Sequence, residues 1–259
     1  MEQIWQLVAG DSPLVAAAIH DGHAVRLEVA NLLALSADER LREEDPFTAD
    51  WTEIAENRLI GLRSRFEVDL NRPREKAVYI KPEDAWELQV WQKTPPDALI
   101  ARSLANYDAF YTAARHLFDH LVTRFGCFVV FDLHTYNHRR EGPHATPAPA
   151  DLNPEVNLGT GTMRRDRWTA VIERFMYDMR SFDFLGRQLD VRENVRFRGG
   201  HFARWTHEHY PETGCVLSIE FKKFFMDEWT GIPDRQQLAA IRAALQAAVP
   251  GVMDTLRQR

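Results

Sequence analysis

Residues 127–133 read Cys-Phe-Val-Val-Phe-Asp-Leu, an apolar run that only Asp132 interrupts. A run of this length predicts a strand that is covered by helices on both faces, as strands in parallel sheets are. The run follows a long helical pattern, in which apolar residues recur at alternating spacings of four and three from Ile100 to Phe125. Gly126 ends this helix. A long helix that leads directly into a buried strand is typical of an α/β fold.

The rest of the chain carries shorter patterns of the same two kinds. Strands or extended segments are predicted at Ile4–Val8, Leu14–Ile19, Arg26–Val29, Arg65–Leu70, Val195–Arg198 and Val216–Phe221. Further helices are predicted from Thr48 or Asp50 to about Leu62, from Trp168 to Leu185, and from Asp234 to Gln258. No linker divides the chain, so we expect a single domain over residues 1–259. Its fold class is α/β, with a mixed, mostly parallel sheet and helices on both faces.

Composition and charge exclude several classes of protein. The chain is 45% hydrophobic and 27% charged, as ordinary globular proteins are, and its net charge of −6 argues against nucleic-acid binding. No apolar run approaches the roughly 20 residues of a membrane span, and the N-terminus lacks the features of a signal peptide. The two cysteines lie in apolar stretches, which favours a reducing compartment. We expect a cytoplasmic protein with a small-molecule substrate and no nucleic-acid or membrane partner; the sequence makes no prediction about oligomeric state.

Chemically reactive side chains gather at the expected carboxyl ends of strands, where α/β proteins place their active sites. His20 and His23 follow one strand and lie three residues apart on a turn, while His134 ends the buried strand. Three protein ligands and a water are the usual set of a catalytic zinc, so these histidines are candidate ligands. Asp132 lies two residues before His134 on the same face of the strand and is a candidate to orient a site residue. A single histidine is more often an ordinary buried or surface residue, and it is the combination of the three that favours a metal site.

Glu220 is a carboxylate within the apolar run Val216–Phe221. A lone buried charge is costly, so such a group either pairs with a cation or acts as a general base beside a metal-bound water. Lys222, Lys223 or an arginine could provide that structural ion pair. Both interpretations remain open from the sequence.

Arginines are concentrated around the same segments, and guanidinium groups bind carboxylates through two hydrogen bonds. The strongest candidates for binding a small anion are Asn71 with Arg72, which precede Pro73, and Arg198, which precedes Gly199 and Gly200. His201 follows the two glycines, where the backbone can approach a ligand closely, and is a further candidate.

Five short elements in a fixed order resemble the N-formylglutamate amidohydrolases. They are Ser64–Arg72, Asp132–Thr135, Asn157–Thr160, Arg196–His201 and Ile219-Glu220. The first two also resemble elements of aspartoacylases and, more distantly, of zinc carboxypeptidases. This resemblance implies a phosphorylase/hydrolase-like α/β fold, similar to that of zinc peptidases.

The resemblance also implies the roles of several residues. It implies one zinc ion, with His134 as a ligand and Glu220 as the carboxylate that activates water. Asn71 and Arg72 would hold a substrate carboxylate, and Arg65 or Arg63 would help to stabilise the oxyanion. The family usually has Pro-His-Ser-Gly where this chain has Ile19-His20-Asp21-Gly22. The second zinc ligand after His20 is therefore His23 or, in its place, Glu44, Asp45 or Asp50.

The expected activity is the metal-dependent hydrolysis of N-formyl-L-glutamate to formate and L-glutamate, a step of histidine degradation. Two alternatives remain: a zinc carboxypeptidase-like peptidase, and a metal-free binding protein for an anionic metabolite.

Overall fold

A seven-stranded sheet lies at the centre of the computed structural model, which describes residues 4–258. Met1–Gln3, part of the N-terminus that argued against a signal peptide, and Arg259 lie outside the described residues. The strands are β1 (Trp5–Val8), β2 (Leu14–Ala18), β3 (Asn57–Gly61), β4 (Phe128–Tyr136), β5 (Val156–Gly159), β6 (Val191–Glu193) and β7 (Gly214–Lys222). Their order across the sheet is β1-β3-β2-β4-β7-β5-β6.

The sheet is mixed and mostly parallel, as the sequence predicts. β2 runs parallel to β3 and β4, β4 runs parallel to β7, and β5 runs parallel to β6. Only the β1–β3 and β5–β7 pairs are antiparallel. The carboxyl ends of β2, β4 and β7 therefore meet at one edge of the sheet, where α/β proteins place their ligands.

Helices cover both faces of this sheet. They are α1 (Leu27–Ala30), α2 (Ala37–Glu43), α3 (Thr48–Trp51), α4 (Asp97–Phe125), α5 (Arg165–Ser181), α6 (His201–His209) and α7 (Arg235–Arg257), with a 3-10 turn at Lys223–Phe225. Val129, Phe131 and Leu133 of β4 share a core with α5 and α7, whereas Phe128 and Val130 share the opposite core with α4 and α6. Because successive strand residues point to opposite faces, this division explains why the run 127–133 is apolar throughout.

Several predicted elements are confirmed within one to four residues. They are β1, β2, β4, β7, α4, α5 and α7, and Asp234 caps α7 as expected by accepting hydrogen bonds from the backbone amides of Gln236 and Gln237. Among the described residues, no helix combines the length and apolar character needed to cross a membrane.

The helix predicted from Thr48 to Leu62 is wrong. Only α3 and a 3-10 turn at Thr52–Ile54 are helical, and the chain then enters β3 between β1 and β2. Leu59 and Ile60 are buried in the sheet, and the side-chain amide of Asn57 donates to the carbonyls of Ser12 and Leu14. These partners are distant in sequence, and they outweigh the local helical pattern.

None of the three other predicted strands or extended segments forms a strand. Leu27–Ala30 is helical, because the carbonyl of Arg26 accepts from the amides of Val29 and Ala30. Residues 65–67 form a turn in which the carbonyl of Ser64 accepts from the amide of Glu67. Residues 195–198 form no strand, because the side chain of Asn157 binds the amides of Arg196 and Phe197 in place of a neighbouring strand.

Candidate metal centre and active-site cleft

His20, Asp45 and His134 bring three ligand atoms within 4.8 Å of one another. His20 follows β2, His134 lies in β4, and Asp45 lies in the segment between α2 and α3. Asp45 Oδ2 lies 2.9 Å from His134 Nδ1 and 3.4 Å from His20 Nδ1. Each side chain is at most 4% exposed. His20 Nδ1 is buried and has no hydrogen-bond partner in the described part of the chain, although it points into a group of candidate metal ligands.

The outer nitrogen of each histidine meets a second carboxylate. His20 Nε2 lies 2.7 Å from Asp69 Oδ1, and His134 Nε2 lies 3.0 Å from Asp132 Oδ1. Both carboxylates are fully buried. These two carboxylates hold each imidazole ring with its Nδ1 atom directed toward Asp45. Carboxylates that bind the outer nitrogen of metal-bound histidines commonly orient the ring in this way. The structure thus places Asp132 against His134, where the strand alternation predicts it.

Electrostatics in this group favour ionised carboxylates. Burial alone would raise the pKa of Asp45, but the hydrogen bond with His134 and the close contact with His20 hold that pKa well below its usual value. Burial likewise opposes ionisation of Asp69, yet the charge of Arg65 keeps the pKa of Asp69 low. Burial lowers the pKa of His134, but the charge of Asp132 outweighs it and raises this pKa well above the usual value. A cluster of ionised carboxylates around two imidazoles suits a divalent cation.

Glu220 lies beside this cluster. The parallel register of β4 and β7 pairs Glu220 with His134, and both residues line one cleft with His20. Burial raises the pKa of Glu220 to about 8, and the charge of His134 opposes this shift. Among the described residues, Glu220 has no hydrogen-bond or ion-pair partner. Lys222 Nζ donates to the carbonyl of Asn153 and Lys223 Nζ to that of Glu44, so neither lysine forms the ion pair considered from the sequence.

The structure brings Asp45 to the cluster, and it places His23 elsewhere. His23 Nδ1 is hydrogen-bonded to Glu44, and its side chain is 40% exposed. Glu44 also accepts from the hydroxyl of Ser64, and Asp50 is exposed on α3. His23 is three residues from His20, but the turn after β2 directs the two rings to different partners. Of the four alternatives for the second ligand, only Asp45 joins His20 and His134.

Asp69 links the cluster to the predicted oxyanion-binding arginine. Arg65 Nη2 donates to Asp69 Oδ2 over 2.7 Å, and Tyr79 donates to the same oxygen. Arg65 lines the cleft, whereas Arg63 is buried and does not. Asp69 lies within the family-like element Ser64–Arg72, although the sequence alone predicts no role for it. Its position between Arg65 and Asn71 in a family-like element is the signal that points to it.

Asn71 is held by the start of α6. Its Oδ1 accepts from the amide of Phe202 over 2.8 Å, and its Nδ2 lies 3.4 Å from His134 Nε2. Gly200 permits this contact, because a Cβ there would lie 2.3 Å from the Asn71 amide. Asn71 therefore faces the metal-binding group with a fixed orientation.

The remaining predicted binding residues line the same cleft, which has a volume of about 370 Å³. Arg72, Arg198 and His201 all lie there, together with Arg204. Arg198 and Arg204 form no ion pair with any residue between positions 4 and 258. Two unpaired guanidinium groups facing a cleft are suited to bind carboxylates of a small molecule.

The mixed α/β fold, with a polar cleft at its strand ends and a free carboxylate beside two histidines, defines the protein as hydrolase-like. The family model of the N-formylglutamate amidohydrolases matches residues 12–226. The chain therefore belongs to the N-formylglutamate amidohydrolase family, as its motifs predict. No curated protein matches the chain.

Solved structures confirm the fold. An N-formylglutamate amidohydrolase from Ralstonia eutropha JMP134 superposes with a TM-score of 0.75 at 16% identity, over 98% of each chain. A gene product from Agrobacterium tumefaciens superposes with a TM-score of 0.65 at 17% identity, over 97% of this chain and 95% of that chain. A metallo-carboxypeptidase from Burkholderia cenocepacia reaches only 0.37 at 16% identity, over 93% of this chain and 56% of that chain, which is too low to support a shared fold.

Proposed function

We propose that this protein is a zinc-dependent amidohydrolase that hydrolyses N-formyl-L-glutamate to formate and L-glutamate. The observation that carries the proposal is the unpaired carboxylate of Glu220 beside two histidines whose Nδ1 atoms converge on Asp45. Membership of the amidohydrolase family supports the class of reaction. A cytoplasmic location and a role in histidine degradation remain predictions from the sequence.

The residues present fit a divalent cation. His20 Nδ1 is a buried nitrogen that lacks a hydrogen-bond partner among residues 4–258, and a cation bound to it, to His134 Nδ1 and to Asp45 would satisfy it. Two nitrogens and one carboxylate oxygen are a common protein ligand set of catalytic zinc, which leaves a fourth position open. When bound, the ion polarises a carbonyl oxygen and lowers the pKa of a water molecule toward about 7.

Glu220 is the proposed general base. It lines the cleft next to His134, and no partner within residues 4–258 holds its carboxylate away from a water molecule. Its Oε atom accepts the proton of the attacking water and then donates it to the nitrogen of the leaving amine. Burial raises the pKa of Glu220 to about 8 in the metal-free protein, and the charge of a bound cation would lower it toward the range in which the carboxylate accepts a proton at neutral pH.

Arg65 is the proposed stabiliser of the oxyanion. Its guanidinium is fixed by Asp69, Tyr79 and the carbonyl of Glu43, so it does not need to reorganise during the reaction. Arg72, Arg198 and Arg204 add positive charge to the lining of the cleft. These side chains are placed to hold the carboxylates of the amino acid, while Asn71 and His201 complete the polar lining.

The proposal is tested with purified protein whose metal content has been measured. We expect about one zinc per chain and hydrolysis of N-formyl-L-glutamate that a chelator abolishes and zinc restores. N-formyl-L-glutamine is the matched control, since it differs only in the charge of the side chain, and its hydrolysis should be slower. A peptide ending in glutamate should not be cleaved; faster cleavage of that peptide would instead identify a carboxypeptidase. Full activity without any metal would refute the metal-dependent mechanism.

A further inference from the structure

Lys223 is a buried cation that the proposed mechanism does not use. It is 1% exposed and begins the 3-10 turn directly after β7, three residues beyond Glu220. Its ammonium group donates to the carbonyl of Arg42 over 2.6 Å and to the carbonyl of Glu44 over 2.8 Å. Both acceptors belong to the segment that delivers Asp45.

This segment is unusual because three acidic residues in a row are buried. Glu43, Glu44 and Asp45 are 8%, 0% and 2% exposed. Neighbouring carboxylates repel one another in a low-dielectric environment, so the segment needs positive charge and hydrogen bonds to stay in place. Lys223 provides both from the strand end that carries Glu220.

The bond from Lys223 fixes one peptide plane in particular. The carbonyl of Glu44 and the amide of Asp45 belong to the same peptide group, which is planar. Lys223 Nζ donates to the carbonyl oxygen of Glu44 over 2.8 Å, and the amide N–H of Asp45 donates to the carbonyl of His20 over 3.0 Å. With both ends of the plane fixed, the backbone nitrogen and Cα of Asp45 are held in position. Thr135 Oγ1 then donates to Asp45 Oδ1 over 2.9 Å, which leaves Oδ2 between the two histidines.

We infer that Lys223 is a positioning residue, which presents Asp45 to a metal ion by fixing the Glu44–Asp45 peptide group. This inference rests on the proposed function, since it concerns the same metal site. It goes beyond it by assigning a role to a residue whose hydrogen bonds, within residues 4–258, go to backbone carbonyls beside Asp45 and not to the side chain of a candidate metal ligand.

The test compares zinc affinity, measured by competition with a chromogenic chelator, in four proteins. They are the wild type, Lys223→Met, Lys223→Arg and the control Lys222→Met. Lys222 is the adjacent lysine and donates to the carbonyl of Asn153, away from the cleft. We expect about 10- to 100-fold weaker zinc binding in Lys223→Met, by analogy with the loss of other groups that orient a ligand. Lys223→Arg should recover part of this affinity, and Lys222→Met should bind as the wild type does.

Circular dichroism and thermal melting of the metal-free proteins separate this role from a general loss of structure. A folded Lys223→Met protein with wild-type zinc affinity would overturn the inference, as would an equal loss in Lys222→Met. If Lys223→Met does not fold, zinc affinity is compared in Lys223→Gln and Lys223→Arg instead. Wild-type zinc affinity in folded Lys223→Gln would then overturn the inference. If the wild type itself binds no zinc, the proposed function fails; tight binding by both the wild type and Lys223→Met removes only the role of Lys223.

Discussion

Removing the negative charge of Asp132 should weaken metal binding without unfolding the protein. Asp132 is fully buried, and its Oδ1 lies 3.0 Å from His134 Nε2. A hydrogen bond to a charged group contributes about 1.5–3 kcal/mol, and a neutral one about 0.5–1.5 kcal/mol. Asp132→Asn retains the shape and a neutral acceptor, so it should lose roughly 1–1.5 kcal/mol. At about 1.4 kcal/mol per tenfold change, zinc should bind about 10-fold more weakly. Asp132→Ala loses the whole bond and should bind up to about 100-fold more weakly.

The assay is competition for zinc with a chelator of known affinity at one pH. Ser218→Ala is the matched control, because Ser218 Oγ donates to the other oxygen of Asp132 over 3.2 Å and does not touch His134. This variant should change zinc affinity by no more than a few-fold. The reasoning would be refuted if folded Asp132→Ala bound zinc as tightly as the wild type.

Three further predictions concern Glu220 and His134. Glu220→Gln should keep its zinc while turnover falls by about 10²–10⁴-fold, the usual contribution of a general base; near wild-type turnover would remove Glu220 from the mechanism. In the metal-free protein, burial raises the pKa of Glu220 to about 8. The stability contributed by this carboxyl is therefore present at pH 4 and lost as the pH rises through about 8, so Glu220→Gln should gain melting temperature relative to the wild type between pH 5 and pH 9. Zinc affinity should fall as the pH is lowered. Burial lowers the pKa of His134, but the charge of Asp132 outweighs burial and raises this pKa above its usual value. His134 therefore carries a proton in the metal-free protein, and this proton must leave before zinc binds. Calorimetry in buffers of different ionisation enthalpy measures that proton release, and zinc binding without it would contradict this assignment.

The elements that could be predicted are those whose pattern depends on their own residues. The long stripe of α4 and the continuous apolar runs of β4 and β7 reflect burial on faces that the local sequence already defines. β3 was missed because its partners β1 and β2 determine its conformation. β5 and β6 are short, with four and three residues, and they lie within or just after polar segments that resemble loops.

The functional site likewise contains residues that the local sequence places and residues that only tertiary contacts place. His20, His134 and Glu220 could be placed together because the carboxyl ends of parallel strands share one edge. The choice of Asp45 over His23 could not be made from spacing, because Lys223, Thr135 and the backbone of His20 position Asp45 through tertiary contacts. The element Ser64–Arg72 draws attention to Asp69, but its contact with His20, 49 positions earlier in the chain, could not be predicted from spacing.

The zinc content of Asp45→Ala, compared with that of His23→Ala, decides whether Asp45 is a ligand of the metal ion together with His20 and His134. Both variants remove one candidate second ligand, and only Asp45 lies within 4.8 Å of the ligand atoms of both His20 and His134. The account predicts that Asp45→Ala loses the bound ion and its hydrolytic activity, while His23→Ala retains about one zinc per chain. Zinc retained at wild-type affinity in Asp45→Ala, with zinc lost from His23→Ala, would contradict it.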